Sequence, residues 1–382
     1  MTKRIFLTGA NGFLGSYLAR ALALEGWDIK CLLRSQKGEL AHDRLHKAIS
    51  SICINADEAS EVLARCSVVE GELEKPRFGM SQTEYNRLAG ELDSVLHCAA
   101  MTTFDPAHAP RQWKVNVDGT ENATRLAANC KPSYGYHYIS TAYVAGNRTD
   151  TAYESELDRG QGFFNGYESS KFEAEKIIGR YRDQSLATTI YRPGIIVGDS
   201  SSGQTVLFNS IYVFLRFFDS ARRAFDEKDS RGRVIVPVRI NGNLAVTKNF
   251  VHVDYIVDTT MAIFKNPAAH GGTYHLTQDN PPTLGLILEV MEEVLDITGI
   301  RAVDKSEFER IPPTEMEAYL QEQSTFYAPY LLSEPLFDRS ELKKMLPAEK
   351  VPLCPPMDKA ALMKLFSYAL ESKWGRRKIK QN

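Results

Sequence analysis

A tyrosine and a lysine four residues apart, Tyr167 and Lys171, are the clearest candidates for chemistry in the sequence. The helical pattern that continues to Tyr181 predicts that both side chains lie on one face of a helix. An ammonium beside a phenol favours the phenolate and moves the pKa of the tyrosine toward a value useful for proton transfer. The same spacing also occurs by chance on exposed helices, so the neighbouring motifs decide its meaning.

A second group of reactive side chains stands where a predicted strand ends. The segment 138–146 begins as an apolar strand and reaches two adjacent hydroxyl residues, Ser140 and Thr141. In open α/β folds, ligands bind at the carboxyl ends of parallel strands. A hydroxyl at that edge can hold a substrate carbonyl, and we expect one of the two to act beside Tyr167 and Lys171.

A glycine-rich turn from Thr8 to Gly15 follows the first predicted strand and leads directly into a helical pattern. Gly9 permits a tight turn, Gly12 lets the backbone approach a pyrophosphate, and Gly15 lets the helix pack closely on the sheet. The N-terminus of the helix then faces the anion. The turn predicts dinucleotide binding; the alternative is a helix cap with incidental glycines.

The end of the second predicted strand distinguishes between the nicotinamide cofactors. An acidic residue there would bind the ribose hydroxyls, but this sequence has apolar Leu33 followed by Arg34. A guanidinium pairs well with a 2′-phosphate, so Arg34 favours NADP(H) over NAD(H). The alternative is an exposed arginine at a strand end.

A parallel sheet would bring these residues together, and the first half of the chain predicts one. Short strand-like runs at 4–8, 29–33, 67–69, 94–97, 136–140 and 188–191 alternate with longer amphipathic stretches. We therefore expect an α/β fold, a doubly wound Rossmann sheet with a smaller C-terminal substrate-binding lobe. Residues 1–200 would form the nucleotide-binding domain, with 234–265 returning to it, and 201–382 mainly the lobe and a C-terminal extension.

Composition excludes several other classes of protein. A net charge of −2 provides no net positive potential that would attract nucleic acid. No apolar run reaches the roughly 20 residues of a membrane helix, and the first residues lead straight into a strand without a signal sequence, so we expect a cytoplasmic protein without a membrane span. The six cysteines are widely spaced and have no histidines at metal-ligand spacing, which predicts reduced thiols and no metal site.

Taken together, the motifs resemble those of the extended short-chain dehydrogenase family over roughly residues 3–276. The motifs that carry the resemblance are TGANGFLG at 8–15, LHCAA at 96–100, NVDGT at 116–120, STAYVAG at 140–146, YESSK at 167–171 and RPGIIVG at 192–198. The resemblance implies that Thr141 orients the carbonyl, that Tyr167 is the general acid and that Lys171 contacts the nicotinamide ribose, with Ser140 as a neighbour. It also implies that Asn116 kinks its helix and supports a proton relay. The implied cofactor contacts are Gly9, Asn11, Gly12, Phe13, Leu14, Gly15, Arg34, Ala99, Ala100, Tyr167, Lys171, Pro193, Gly194 and Ile195.

Within that family the chain is most similar to the thioester reductases and fatty acyl reductases, the male-sterility-like group. The segment 70–81 carries this likeness, and it adds Glu72, which stands where the group has aspartate, and Leu73 to the expected cofactor contacts. The resemblance implies NADPH-dependent reduction of an acyl thioester, on coenzyme A or on an acyl carrier protein, to an aldehyde or onward to an alcohol.

Two features of the second half could serve such a substrate. The aromatic residues Phe208, Tyr212, Phe214, Phe217, Phe218 and Phe225 would line an acyl tunnel or simply fill the core. Arg222, Arg223, Arg231 and Arg233 would receive a carrier's acidic helix or a coenzyme phosphate, or form a solvated face.

Rival functions share the same residues. A ketone reductase, a hydroxysteroid-type dehydrogenase or a sugar-nucleotide epimerase would also need Thr141, Tyr167 and Lys171. Arg34 counts against an epimerase, since these enzymes usually bind NAD. A non-catalytic dinucleotide sensor would often lack the tyrosine or the lysine, and this chain has both.

Overall fold

The computed structural model describes residues 2–36, 38–346 and 354–376. Strands and helices alternate through the first 200 residues, as the sequence pattern predicts. In chain order they are β1 (Arg4–Thr8), α1 (Phe13–Leu24), β2 (Asp28–Leu33), α2 (Ala41–Ser50), α3 (Ala56–Ala64), β3 (Cys66–Glu70), α4 (Gln82–Ala89), β4 (Ser94–His97), α5 (Ala109–Trp113), α6 (Gly119–Cys130), β5 (Tyr136–Ile139), β6 (Thr151–Ala152), α7 (Gly166–Arg182), β7 (Thr188–Pro193) and β8 (Ile195–Val197).

The second half is less regular. It contains α8 (Ile211–Ala221), β9 (Val234–Asn241), β10 (Phe250–His252), α9 (Val253–Phe264), β11 (Thr273–Leu276), α10 (Leu284–Leu295), β12 (Ile297–Val303), α11 (Lys305–Arg310), α12 (Glu315–Ser324), β13 (Leu336–Phe337), α13 (Ser340–Met345) and α14 (Lys359–Glu371). No helix in the described part of the chain is long and apolar enough to cross a membrane.

The central sheet has seven strands in the order β11-β7-β5-β4-β1-β2-β3, all of them parallel. The strand order reverses between β1 and β4, and ligands of such sheets bind at the carboxyl side of this switch point. The predicted α/β Rossmann fold is confirmed, and the six predicted strands agree with β1 to β5 and β7 to within a few residues.

Alternating side chains of β1 explain how the sheet is covered on both faces. Ile5 and Leu7 point into one apolar cluster with α1 and α9, whereas Phe6 points into another with residues of α4, α6 and α7. A strand buried on both faces shows a continuous apolar run, which is why this strand was easy to predict. Both helical layers therefore press on the strand that carries the glycine turn.

The second lobe has its own hydrophobic core. Part of the segment 234–265, which we expected to return to the nucleotide-binding domain, packs in this core instead. Within 234–265, β9 pairs with β12 and packs its buried Val236, Val238 and Ile240 among residues of α8, α10 and α14. Its alternating burial suits a sheet that is covered on one face. The remainder does return, since β10 pairs with β8 and α9 packs against α1. From beyond that range, β11 completes the central sheet.

Candidate active site

A cleft of about 600 Å³ opens at the carboxyl edge of the central sheet and extends into the second lobe. Most residues predicted to bind the cofactor or to react lie along its wall. These are Gly9, Asn11, Gly12, Phe13, Leu14, Gly15, Arg34, Leu73, Ala99, Ala100, Thr141, Tyr167, Lys171, Pro193, Gly194 and Ile195. Glu72 and Asn116 are not among the lining residues.

The glycine turn is shaped by close backbone contacts. Gly9 has φ of +79°, and a Cβ there would lie 2.8 Å from the backbone nitrogen of Ala99. A Cβ on Gly15 would lie 2.0 Å from the carbonyl oxygen of Gly9, which already accepts a 2.8 Å hydrogen bond from the Gly12 nitrogen. The turn consequently holds the start of α1 against the cleft, with its first N–H groups facing the place where a pyrophosphate would bind.

Thr8 ties this turn to the loop that follows β4. Its Oγ1 accepts hydrogen bonds from the backbone nitrogens of Cys98 and Ala99, so its proton goes to Nδ1 of His97 at 2.6 Å. Nε2 of His97 then carries a proton and donates it to Thr120 at 3.1 Å. Burial lowers the pKa of His97 to about 3, so the ring stays neutral and acts as a structural link.

The two hydroxyls after β5 have different partners. Ser140 donates to the buried carboxylate of Glu175, which also binds the guanidinium of Arg192. Thr141 shares a hydrogen bond with Tyr167 at the cleft wall, and its oxygen accepts from the backbone nitrogen of Tyr143. Both residues line the cleft, but the hydroxyl of Ser140 is already bound to the Glu175 carboxylate.

Tyr167 and Lys171 lie in the first turns of α7, which begins after the N-cap residue Asn165. Burial raises the pKa of Tyr167 to about 12, partly offset by the hydrogen bond with Thr141. Burial lowers the pKa of Lys171 to about 7, and nearby Glu175 acts in the opposite direction. Nζ of Lys171 donates to the carbonyl oxygen of Ile139 at 2.7 Å, which holds the cation at the end of β5.

Asn116 lies one layer behind the reacting groups. It sits in a π-helical turn, Lys114–Asp118, between α5 and α6. Its Oδ1 accepts from the Met101 nitrogen at 2.8 Å, and its Nδ2 donates to Ser170 at 2.9 Å. The side chain therefore connects α7 to the loop after β4, and its hydrogen bonds go to Met101 and Ser170.

The end of the cleft beside β2 has one cation that we predicted, Arg34, and one that we missed, Arg44. Arg34 pairs with Glu74 at 3.2 Å, and Arg44 donates to the carbonyl oxygen of Arg34. Both arginines line the cleft. Glu72 differs from our prediction: its carboxylate pairs with Lys75 on the surface, while Leu73 and Glu74 face inward.

An aromatic layer covers the reacting end, and the sequence did not reveal it. Phe104 packs between Tyr167 and Tyr330, with ring centroids 6.0 Å and 5.8 Å apart. Tyr330 donates to the buried carboxylate of Glu168, whose pKa is raised to about 7 by burial. Tyr327 also contacts Phe104. The segment of the chain after α12 thus forms one wall of the site.

The aromatic residues of the second half were predicted either to line an acyl tunnel or to fill the core, and the structure has examples of both. Phe214 lines the cleft, whereas Tyr212, Phe217 and Phe218 are buried in the core of the lobe. Further apolar lining comes from β9, β10 and α10.

Most arginines predicted to contact a carrier protein or a coenzyme phosphate form ion pairs with acidic residues of this chain. Arg222 and Arg223 pair with Asp219, and Arg233 pairs with Asp229.

Comparisons with known proteins agree with this architecture. A peptide synthetase of Aspergillus flavus, nonribosomal peptide synthetase asaC, is 30% identical over 290 residues, which cover 73% of this chain and 26% of that protein. Aldehyde reductase lnbA of the same organism is 28% identical, covering 78% of this chain and 28% of that protein. The chain thus spans about a quarter of the length of these relatives.

A solved structure, the terminal R domain from the myxalamid PKS-NRPS biosynthetic pathway, superposes with a TM-score of 0.79 at 23% identity, covering 98% of this chain and 92% of that one. At that identity the likeness shows the fold. The family model described as male sterility protein matches residues 7–260, which include the glycine turn, Thr141, Tyr167 and Lys171. The chain therefore belongs to the male sterility protein family.

Proposed function

We propose that this chain uses NADPH to reduce an acyl thioester to an aldehyde. The observation that carries the proposal is the convergence of Thr141, Tyr167 and Lys171 in one cleft that has a glycine-rich dinucleotide turn at one end and an apolar chamber at the other. The names of the relatives, peptide synthetases and aldehyde reductases, support a thioester as the substrate and an aldehyde as the product.

The residues fit a nicotinamide dinucleotide. The close backbone contacts at Gly9 and Gly15 hold the turn against the start of α1, so that the first N–H groups of the helix can face a pyrophosphate. Arg34 and Arg44 offer two guanidinium groups where the adenosine ribose would lie, and this supports a 2′-phosphate and hence NADPH. When bound, this cofactor supplies the hydride that reaches the carbonyl carbon of the thioester.

The side chains of this protein stabilise the developing negative charge on the carbonyl oxygen and transfer the proton. Thr141 and Tyr167 donate hydrogen bonds to the carbonyl oxygen as negative charge develops there, and Tyr167 gives up its proton. The charge of Lys171 stabilises the resulting phenolate. The hemithioacetal then returns its hydroxyl proton to the Tyr167 phenolate as the C–S bond breaks, which releases the aldehyde; the sulfur leaves as a thiolate and takes a proton from solvent.

Other residues orient these groups. Asn116 fixes the start of α7 through Ser170, and Phe104 packs on the ring of Tyr167. The apolar chamber around Phe214 takes the acyl chain and keeps water away from the reacting carbon. The thiol partner, coenzyme A or the arm of a carrier protein, would extend through the open mouth of the cleft.

The test follows NADPH absorbance with purified protein and a panel of acyl-coenzyme A thioesters, aldehydes, ketones and sugar nucleotides, with chemical trapping of the aldehyde. We expect thioesters to be reduced and NADH to be a poor substitute. Turnover of ketones or sugar nucleotides without turnover of thioesters would contradict the proposal and favour a ketone reductase or an epimerase.

A further inference from the structure

Glu74 places a carboxylate in the cleft wall, beside the arginines that we propose bind the 2′-phosphate of NADPH. Among the described residues that line the cleft it alone is acidic. Its Oε1 accepts a hydrogen bond from Nη1 of Arg34 at 3.2 Å. The side chains of Glu74 and Arg34 are only 22% and 33% exposed, so solvent screens the pair incompletely. A charged pair therefore lies where the adenosine ribose of the cofactor would bind.

The backbone on both sides of Glu74 is fastened to α6. Nδ2 of Asn122 donates to the carbonyl oxygens of Leu73 and Lys75, in each case at 3.0 Å. The side chain of Leu73 is itself buried. These contacts fix the segment that carries Glu74, so the fold itself places the carboxylate beside Arg34.

The second arginine has no such counter-charge. Arg44, in α2, donates from Nη1 to the carbonyl oxygen of Arg34, and in the part of the chain that the structure describes it forms no ion pair. This end of the cleft is thus lined by two guanidinium groups and one carboxylate. One positive charge remains uncompensated there, and it belongs to Arg44.

A 2′-phosphate and a 2′-hydroxyl interact differently with such a carboxylate. The phosphate carries nearly two negative charges at neutral pH. Bound to Arg34, it would lie within a few ångströms of Glu74, and like charges repel at that distance. The ribose hydroxyl of NADH has no charge, and a carboxylate accepts a hydrogen bond from it. The presence of Glu74 therefore disfavours NADPH but not NADH.

We infer that Glu74 competes with the 2′-phosphate for Arg34 and thereby narrows the preference of this protein for NADPH over NADH. The inference rests on the proposed function, within which it identifies a residue that determines cofactor specificity. Arg44 supplies the uncompensated charge that keeps NADPH the better cofactor.

Calorimetry of NADPH and NADH binding at low ionic strength tests this inference. Glu74→Gln keeps the size of the side chain and removes its charge, so it should tighten NADPH binding by about threefold to tenfold and change NADH binding by less than about twofold. Glu72→Gln is the matched control, because that carboxylate pairs with Lys75 on the surface. It should change the affinity for either cofactor by less than about twofold.

A double-mutant cycle shows whether the competition involves Arg34. In an Arg34→Met background, Glu74→Gln should tighten NADPH binding less than it does in the wild-type protein, and an equal gain in both backgrounds would contradict the competition. Weaker NADPH binding by Glu74→Gln would mean that the carboxylate orients Arg34 toward the phosphate, and would overturn the inference. An unchanged affinity, or an equal gain for NADH or in Glu72→Gln, would overturn it as well.

These measurements need no acyl substrate, so they separate this inference from the proposed reaction. A protein that shows the expected cofactor affinities but reduces no thioester would contradict the proposed function and leave the role of Glu74 standing. A protein that reduces thioesters but shows no gain in Glu74→Gln would contradict only the role of Glu74. Failure of the wild-type protein to bind either dinucleotide would contradict both.

Discussion

Substituting Gly15 by alanine tests the geometry of the glycine turn. The new methyl group would meet the carbonyl oxygen of Gly9 at 2.0 Å, and real contacts of this kind are essentially never below 3.0 Å. The start of α1 and the turn must therefore separate by roughly 1 Å, which strains the hydrogen bond from Gly12 to Gly9. Overpacking of this kind costs about 1–3 kcal/mol of folding free energy.

A second effect, of similar size, should fall on cofactor binding. The N–H groups at the start of α1 bind a pyrophosphate only when they point at it, so displacing them should weaken NADPH binding by about 10-fold to 100-fold, or ~1.4–2.8 kcal/mol. Gly179→Ala is the matched control, because Gly179 lies inside α7 and a Cβ there meets no atom within 4 Å. That change should raise the free energy of unfolding by about 0.5–1 kcal/mol.

Urea unfolding measures the stability of both variants, and the quenching of protein fluorescence by NADPH measures affinity. If Gly15→Ala bound NADPH as tightly as Gly179→Ala does, the assignment of the turn to the pyrophosphate would be wrong.

Three further changes probe other parts of the cleft. Arg44→Ala should weaken NADPH binding by roughly tenfold and leave NADH binding nearly unchanged, since only NADPH carries the 2′-phosphate; calorimetry with both cofactors checks this, and equal losses would contradict it. Phe214→Ala should shift the preference toward longer acyl chains because it enlarges the chamber, and a series of acyl-coenzyme A lengths would show no shift if Phe214 were only core. Burial raises the pKa of Glu334 to about 7, so this group binds a proton more tightly when folded; its stabilising contribution is complete below about pH 4.5 and is lost as the pH rises through 7. Glu334→Gln should therefore flatten the fall in unfolding free energy between pH 5 and 8, and an unchanged slope would refute the shift.

The nucleotide-binding half could be predicted because its elements are encoded locally. A strand such as β1, buried on both faces, appears as a short apolar run, and the glycines that follow have a conformational reason to be there. The spacing of Tyr167 and Lys171 likewise fixed one face of α7. Motifs of this kind require no knowledge of distant parts of the chain.

The errors and omissions arise where distant segments meet. Glu72 was placed at the cofactor, but Arg77 and Phe78 adopt positive φ, and the loop they shape leaves its side chain paired with Lys75 on the surface. The aromatic wall of Tyr327 and Tyr330 joins the site through contacts with residues near position 104. No local sequence pattern predicts these contacts, because they form between segments that are far apart in the chain.

The division of the second half was hard for a related reason. The alternating burial of β9 fits any sheet that is covered on one face, and the sequence does not say which sheet that is. Its partner β12 follows much later in the chain and belongs to the second lobe. A strand from that later part, β11, instead completes the central sheet.

The most direct test of the central claim compares wild-type protein with Tyr167→Phe in the NADPH-dependent reduction of an acyl thioester. The phenol is the proton donor in our account, so its loss should lower kcat by about 100-fold to 10,000-fold. NADPH affinity should change little, because the ring and the packing of Phe104 remain. Wild-type protein should release an aldehyde that a trapping reagent captures. A Tyr167→Phe variant that reduced the thioester as fast as wild-type protein would contradict the mechanism.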